Sequence, residues 1–236
     1  MSKVLKNQRV LEVKRRSKYL IIKTAKGHVL IHLGMTGNLL NSKSSKPFKD
    51  HTHYVLGVKN NEGDETFYHY VDPRRFGSIH SHLSTDLSGC PQLEKCGVEP
   101  LETKNLAGHF YKRAVNKSKP IKNFIMDNIN VVGVGNIYAT ESLFLSGIHP
   151  ERAAQSLSEV EWKELALNIK KVLKRAIKAG GTSFSDYRHT DGSSGYFQVK
   201  LNVYGKHGEP CPKCQTTIEL IKQAGRATSY CPSCQR

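Results

Sequence analysis

The chain has 236 residues, of which 38% are hydrophobic, so it can bury one large core or two to three small ones and is not a disordered tail. Its 36 Lys and Arg outnumber its 20 Asp and Glu, and the formal charge of +16 indicates a polyanionic partner rather than a small neutral metabolite. No run of residues approaches the roughly 18 apolar residues of a membrane span, and the charged N-terminal residues are not followed by an apolar signal core. We therefore expect a protein that is neither exported nor embedded in a membrane.

The first part of the chain, residues 10–79, consists of short β-type runs that are separated by turn clusters such as Lys26-Gly27. This pattern predicts an antiparallel β unit. From Thr103 onward, apolar residues recur at helical spacing, which predicts a mostly helical second part. Residues 182–197 are expected to form a long polar loop, and residues 199–236 a small β-hairpin module.

The clearest predicted helix runs from Ser158 to Ala179. Ser158 and Glu161 have the spacing of a capping box, and Gly180-Gly181 would end the helix. One apolar stripe is predicted along it, made of Val160, Leu165, Ile169, Val172, Leu173, Ala176 and Ile177.

Four of the six cysteines form two tight pairs near the C-terminus. Cys211-x2-Cys214 and Cys231-x2-Cys234 are separated by 16 residues, which is the spacing of a four-cysteine zinc site. The alternatives are a redox dithiol and two unrelated cysteine pairs. Since there is no further ligand candidate nearby, we expect a closed, structural site whose metal folds the hairpin.

A glycine turn precedes a second predicted helix. Residues 121–126 are predicted to be helical, followed by a turn with Gly133 and Gly135 and a helix that starts at Asn136. Bare backbone N–H groups at a helix start, together with the Asn side chain, would suit a phosphate, although tight turns also use glycine for conformational reasons alone. Three cations lie just upstream and favour the phosphate: Lys117, Lys119 and Lys122.

Arg226 lies in the segment Gly225-Arg226-Ala227-Thr228, just before the second cysteine pair. A rigid turn held by the metal module would present this arginine to a partner. The alternative is a solvated surface arginine.

Four segments together resemble a known family. They are GVGNIYATESLFLSGIHP, DPRRFG at Asp72 to Gly77, HLGMTG at His32 to Gly37, and the terminal hairpin that contains GRAT. This combination is similar to bacterial formamidopyrimidine-DNA glycosylases, and the resemblance extends from about Val10 to Arg236.

The resemblance implies an α+β multidomain protein that clamps duplex DNA in a cleft. Its domains would be an antiparallel β-sandwich over 1–100 that lacks its opening segment, a helix-two-turns-helix domain over 101–198, and a four-cysteine zinc finger over 199–236. The implied function is base-excision repair. The protein would be a DNA glycosylase with AP lyase activity that removes oxidised purines, namely 8-oxoguanine and formamidopyrimidines. It would carry one structural Zn²⁺. The implied protein is a monomer that binds damaged double-stranded DNA, has no contact with a membrane, and lies in the bacterial cytoplasm at the nucleoid.

The resemblance also assigns residue roles. Met35, Arg74 and Phe76 would fill the void that the flipped nucleotide leaves. Lys18 and Arg226 would be catalytic, as proton donors in β- and δ-elimination that also hold phosphate. The implied DNA contacts are His32, His51, Arg74, Lys117 and Asn136, and the loop over the everted base would include Thr182, Phe184, Ser185, Asp186 and Tyr187.

The N-terminus departs from the family pattern. In the family, the mature chain begins with Pro-Glu and the proline amine is the nucleophile, whereas this chain begins Met-Ser-Lys. We expect the chain as written to lack the principal nucleophile and general acid, and we interpret it as a gene-model truncation. The alternatives are a catalytically silent protein that binds lesions or abasic sites, and a generic zinc-ribbon nucleic-acid module.

Overall fold

The computed structural model describes residues 1–47, 49–181, 190–191, 193 and 201–236. The chain forms two compact units, one of Met1–Glu94 with Ala179–Gln198 and one of Lys95–Lys178 with Val199–Arg236. The predicted division into three domains at residues 100 and 198 stays a prediction. Among the described helices, none has the length and apolar character that a membrane crossing requires.

The first unit is built from two antiparallel sheets. The elements are α1 (Ser2–Leu5), β1 (Val10–Arg16), β2 (Tyr19–Thr24), β3 (Gly27–His32), β4 (Asn38–Ser42), β5 (Thr52–Lys59), β6 (Glu65–Val71), β7 (Ser78–His82) and α2 (Pro91–Glu94). A four-stranded sheet has the order β1-β2-β3-β7 and a three-stranded sheet the order β4-β6-β5.

The two sheets pack face to face. Ile22, Val29 and Ile31 of the larger sheet meet Tyr70 of the smaller one, and Val4 of α1 joins the same core. Side chains alternate between the faces of a strand, so the intervening positions point to the opposite side of the larger sheet. There, Ile21 and Leu30 are covered by the segment that contains Cys90. The predicted antiparallel β-sandwich is confirmed.

The second unit is helical and ends in a β-hairpin. Its elements are α3 (Leu106–Ala114), α4 (Ile121–Met126), α5 (Asn136–Ser146), a short 3-10 helix (Ala154–Ser156), α6 (Glu159–Lys178), β8 (Glu219–Gln223) and β9 (Arg226–Tyr230). The predicted helix over 121–126, the helix start at Asn136 and the C-terminal hairpin are therefore confirmed.

The core of this unit is centred on Trp162, which is 1% exposed. Its ring lies 5.3 Å from that of Phe110 and 5.7 Å from that of Phe124, between ring centroids. The capping box at the start of α6 is present, because Ser158 N donates to Glu161 Oε2 at 2.8 Å and Glu161 N donates to Ser158 Oγ at 3.3 Å. The start of α6 is thereby fixed against the aromatic core.

The apolar stripe predicted along α6 is correct in its centre and wrong at its ends. Val160 is 73% exposed and Ile177 is 66% exposed. At about 100° per residue, Val160 lies about 180° and Ile177 roughly 80° around the helix from Ile169. Trp162, about 20° from Ile169, is the buried residue of the first turn.

Candidate nucleic-acid interface

Two neighbouring loops of the first unit expose Met35, Arg74 and Phe76, which we call the trio. Met35 lies between β3 and β4, and Arg74 and Phe76 lie between β6 and β7. Met35 is 66% exposed and Phe76 is 63% exposed. Large apolar side chains at the tips of ordered loops are available to a partner that offers an apolar or planar surface.

A buried carboxylate lies beneath the trio. Asp72 is 1% exposed, and its two oxygens accept hydrogen bonds from Thr36 Oγ1 at 2.5 Å and from Gly77 N at 2.8 Å. Burial alone would raise the pKa of Asp72, but the hydrogen bonds from Thr36 and Gly77 lower it below its ordinary value. Asp72 is therefore charged at neutral pH and links the two loops that carry the trio.

The two loops also touch through their backbones. Gly34 has a φ of +66°, and a Cβ atom there would lie 2.6 Å from both Gly77 N and the carbonyl carbon of Phe76. A Cβ on Gly77 would lie 1.9 Å from the hydroxyl of Tyr70. The close approach of the loops thus requires glycine at both positions.

Lys18 and His32 lie near each other in the first unit. Lys18 is exposed in the turn between β1 and β2, rather than on a strand face. His32 stacks obliquely on Tyr19, with ring centroids 5.0 Å apart. Burial, followed by the charges of Lys18 and His80, lowers the pKa of His32. Since Gly34 N donates to His32 Nδ1 at 3.1 Å, the neutral ring carries its proton on Nε2, from which it can donate to a phosphate oxygen.

His51 is exposed before β5 and has a left-handed backbone with a φ of 62°. Its carbonyl accepts a hydrogen bond from Asp72 N at 3.1 Å. The backbone of His51 is therefore joined to the residue that links the loops of the trio.

In the second unit, Asn136 starts α5 after Gly135, which caps the helix by backbone alone. Gly135 has no side chain with which to cap the first turn, and the N–H groups at a helix start favour an anion. The Asn136 side chain is held at both ends, because Nδ2 donates to Ala227 O at 3.1 Å and Oδ1 accepts from Lys122 Nζ at 2.5 Å.

Lys122 lies in the interior, which sequence reasoning missed. The sequence predicts one of three cations that favour a phosphate, but the residue is 1% exposed and its ammonium donates to Asn136 Oδ1 and to Thr228 Oγ1, each at 2.5 Å. Burial, followed by the charge of Arg226, lowers the pKa of Lys122 to about 8. A lysine between apolar positions in IKNFIM gives no local sign of burial, since such a residue is typically at the surface.

Arg226 is exposed at the first position of β9, opposite Gln223 in the hairpin register. The connecting residues Ala224 and Gly225 both have positive φ values, 46° and 76°, which is the pattern of a type I′ hairpin turn. A tight turn therefore presents Arg226, as the sequence suggested.

Lys117 follows α3, which ends at Ala114. It is exposed in the turn after α3, where its N–H donates to Ala114 O and its carbonyl accepts from Gln155 N. The predicted lesion-recognition loop, Thr182, Phe184, Ser185, Asp186 and Tyr187, lies outside the described residues.

The four paired cysteines converge at the base of the hairpin. All four sulfurs lie within 4.8 Å of one another. Three of the S–S distances are 3.9 Å (Cys211–Cys234), 3.5 Å (Cys214–Cys231) and 3.4 Å (Cys214–Cys234). A tetrahedral ion with Zn–S bonds of about 2.3 Å would have S–S edges of about 3.8 Å. Hydrogen bonds from Thr216 lower the pKa of the Cys214 thiol to about 6, whereas burial raises the pKa of Cys231 and raises that of Cys234 to about 12, so a bound cation is needed to hold all four as thiolates. The donor set and its geometry fit a structural zinc ion.

Glu141 of α5 joins this zinc module to the helices. Its carboxylate is buried and accepts hydrogen bonds from the backbone N–H groups of Asn202, Val203 and Tyr204, each at 2.9 Å. Asn202 Nδ2 adds a fourth at 2.7 Å. Sequence reasoning did not single out Glu141, since its partners lie about sixty positions away in the chain.

Family models match three consecutive parts of the chain. The model of the formamidopyrimidine-DNA glycosylase N-terminal domain matches residues 1–79, that of the formamidopyrimidine-DNA glycosylase H2TH domain matches 96–188, and that of the zinc finger found in FPG and IleRS matches 208–236. The chain belongs to the formamidopyrimidine-DNA glycosylase family.

Individual members of the family are similar over almost the whole chain. The formamidopyrimidine-DNA glycosylase of Sodalis glossinidius is 47% identical over 231 residues, which are 98% of this chain and 84% of that protein. The crystal structure of MutM (Fpg) from Thermus thermophilus has 35% identity and a TM-score of 0.85, with 99% of this chain and 88% of that one covered. Lactococcus lactis Fpg in complex with DNA that contains an abasic site has 33% identity and a TM-score of 0.85, with 97% and 83% covered.

Membership of the formamidopyrimidine-DNA glycosylase family confirms the resemblance on which the predicted fold rests. The antiparallel sheets, the helical H2TH region and the four-cysteine hairpin all occur in the order that the family models require. The matched zinc finger and the converging thiols assign one structural zinc ion to Cys211, Cys214, Cys231 and Cys234.

Proposed function

We propose that this protein is a base-excision-repair DNA glycosylase that also has AP lyase activity. Its substrates are oxidised purines in duplex DNA, namely formamidopyrimidines and 8-oxoguanine. One observation carries the proposal: the trio Met35, Arg74 and Phe76 is exposed on two ordered loops that a buried Asp72 links. Family membership supports the reaction class.

The trio suits a protein that extrudes a nucleotide. When a base leaves the stack, the gap must be filled by side chains with apolar or planar surface, because unstacked neighbours otherwise lose a few kcal/mol. Methionine and phenylalanine provide the apolar surface, and the guanidinium of Arg74 provides a flat cation that can donate hydrogen bonds to an unpaired base. The relative from Lactococcus lactis, whose complex contains an abasic site, supports a partner of this kind.

Each unit carries groups that suit the DNA backbone. We propose Lys18, His32 and His51 as phosphate contacts in the first unit, and Lys117, Asn136 and Arg226 in the second. The start of α5 after Gly135 places backbone N–H groups beside Asn136, and the charge of +16 gives a field that attracts a polyanion.

Lys18 and Arg226 are also our candidates for proton donors. In a lyase of this class, an amine attacks C1′ and displaces the damaged base, and elimination then breaks the bonds to the 3′ and 5′ phosphates. A cation that already contacts the phosphate can hold the leaving oxygen and supply its proton. The exposed positions of Lys18 and Arg226 are consistent with this role.

We further propose that the protein acts as a monomer on damaged double-stranded DNA in the bacterial cytoplasm, at the nucleoid and away from membranes. The bacterial origin of its relatives and the basic surface support this setting. Light scattering of the protein alone and bound to one duplex would test the monomer directly.

The binding experiment compares an intact duplex with one that carries a tetrahydrofuran abasic site. We expect tighter binding to the abasic duplex, by about tenfold or more, and we expect Phe76→Ala to remove most of this preference. Leu83→Ala is the matched control, since Leu83 is 68% exposed in the same unit but lies outside the trio. Equal affinities of the unaltered protein for both duplexes would contradict the proposal.

The catalytic part is tested by borohydride trapping on a duplex that contains 8-oxoguanine or a natural abasic site. The sequence as written begins Met-Ser-Lys rather than Pro-Glu, so a covalent adduct and strand cleavage are expected from a chain that starts with the family's Pro-Glu. Preferential binding to the abasic duplex without an adduct would instead identify a catalytically silent lesion-binding protein.

A further inference from the structure

We infer that Asp72 and Thr36 are positioning residues that lock the two loops of the trio together, so that Met35, Arg74 and Phe76 enter DNA as one preformed body. This inference rests on the proposed function. The two residues are buried and cannot contact DNA themselves, since Asp72 is 1% and Thr36 is 3% exposed.

The carboxylate of Asp72 divides its hydrogen bonds between the loops. Oδ1 accepts from Thr36 Oγ1 in the loop of Met35, and Oδ2 accepts from Gly77 N in the loop of Phe76. The hydroxyl of Tyr70 lies 3.4 Å from Asp72 Oδ2 and 3.2 Å from the carbonyl oxygen of His32, and it can donate its one proton to either acceptor. Charge-assisted hydrogen bonds of this kind are stronger than neutral ones.

Thr36 acts as a relay. Its hydroxyl donates to Asp72 and accepts from the backbone N–H of Arg74 at 3.2 Å. One oxygen atom in the loop of Met35 thus makes two hydrogen bonds to the loop of Phe76, one as donor and one as acceptor. A hydroxyl can fill both roles because it is a donor and an acceptor at once. Valine has almost the same shape as threonine and can fill neither.

The expected consequence is a gain in binding through preorganisation. Loops that had to be ordered when DNA binds would lose conformational entropy at that moment, and the affinity for a gapped stack would fall. A linked pair of loops has already lost that entropy on folding. Loss of the link should therefore lower the preference for an abasic duplex and leave the affinity for an intact duplex unchanged, since intact DNA offers no gap to fill.

The test measures the ratio of affinities for abasic and intact duplexes in three variants of the full chain. Thr36→Val removes both hydrogen bonds, and we expect the ratio to fall about tenfold. Thr36→Ser keeps the hydroxyl and should stay within about twofold of the unaltered protein. Asp72→Asn replaces one acceptor by a donor and leaves either Thr36 or Gly77 without its acceptor, so the ratio should again fall.

A double-mutant cycle with Phe76→Ala separates positioning from general stability. If Thr36 acts through the trio, Thr36→Val should have little further effect once Phe76 is removed. Additive effects, or an equal loss of affinity for intact and abasic duplexes in Thr36→Val, would overturn the inference. If the unaltered protein prefers the abasic duplex and Phe76→Ala abolishes this while Thr36→Val does not, the inference fails and the proposed function stands. No preference in the unaltered protein would defeat the proposed function itself.

Discussion

Lys122 donates a hydrogen bond from the protein interior to the side-chain oxygen of Asn136, the first residue of α5. The same ammonium bonds Thr228 Oγ1, so it joins this helix start to β9, which begins at Arg226. Two of the proposed phosphate contacts, Asn136 and Arg226, are thus held relative to each other by one buried cation. We therefore expect pH, zinc removal and salt to change the stability or the DNA affinity of the protein in specific ways.

Lys122 should give the folded protein a distinctive alkaline pH dependence. Its folded pKa of about 8 lies below the ordinary lysine value of 10.5, so between these values the unfolded chain binds more protons and the free energy of unfolding should rise with pH. The rise should be at most about 3 kcal/mol. Urea unfolding at pH 7.5 and pH 10, followed by the fluorescence of the single tryptophan, Trp162, measures it.

Lys122→Met should lack this rise, whereas Lys119→Met should keep it. Lys119 is the matched control because its ammonium lies 3.0 Å from Asp127 with half of its side chain exposed. An unchanged pH dependence in Lys122→Met would show that its pKa is not lowered by folding.

Glu141→Gln should destabilise the second unit without touching zinc or DNA contacts. The amide nitrogen would face backbone N–H groups that now donate to a carboxylate oxygen, and at least two buried donors would lose their acceptor. We expect a loss of about 2–4 kcal/mol in the free energy of unfolding, read from Trp162 fluorescence. Glu159→Gln, at an exposed site in the first turn of α6, should cost no more than about 0.5 kcal/mol.

Zinc removal should unfold the terminal hairpin and weaken DNA binding. Cys214→Ser leaves three thiolates, so the zinc content, measured by mass spectrometry of the native protein, should fall well below one ion per chain. The hairpin carries Arg226 and Thr228, one of the partners of Lys122, so affinity for duplex DNA should fall with the metal. Cys96→Ser should keep its zinc, and a chelated sample with full DNA affinity would show that the hairpin is dispensable.

The salt dependence of DNA binding should report the phosphate contacts. For each phosphate that is neutralised, the slope of log K against log salt should steepen by about 0.9. Arg226→Gln should therefore weaken binding to every sequence and reduce the slope by about 1. Lys14→Gln is the comparison, since Lys14 lies 3.4 Å from the carboxylate of Glu12 and already has a counterion; an equal change of slope in both variants would argue against a specific Arg226 contact.

Local sequence signals predicted the elements and their ends well. The capping box of Ser158 and Glu161, the start of α5 at Asn136 and the convergence of the cysteine pairs each depend on residues a few positions apart or on a fixed spacing. Resemblance to the family then identified the exposed trio. These are the cases in which short-range chemistry determines the structure.

The buried polar residues could not be predicted in the same way. Lys122 bonds Thr228, Glu141 bonds Asn202 and Asp72 bonds Thr36, at separations of 106, 61 and 36 residues. A lysine or an acid in an amphipathic segment is usually solvated, and only the tertiary fold shows which one is enclosed by donors and acceptors. The error at Val160 and Trp162 is of another kind, because their angular positions on α6 follow from the sequence at about 100° per residue.

The contact between Gly34 and the backbone at Phe76 and Gly77 limits how this surface can be re-engineered. Positions 35, 74 and 76 point outward and can accept many side chains, whereas a single methyl group at position 34 or 77 would collide with main-chain or tyrosine atoms. A saturation library across these loops should therefore return permissive and intolerant sites next to each other. This alternation of tolerant and intolerant positions follows from backbone contacts within the protein, so it should persist even under selection for a different ligand.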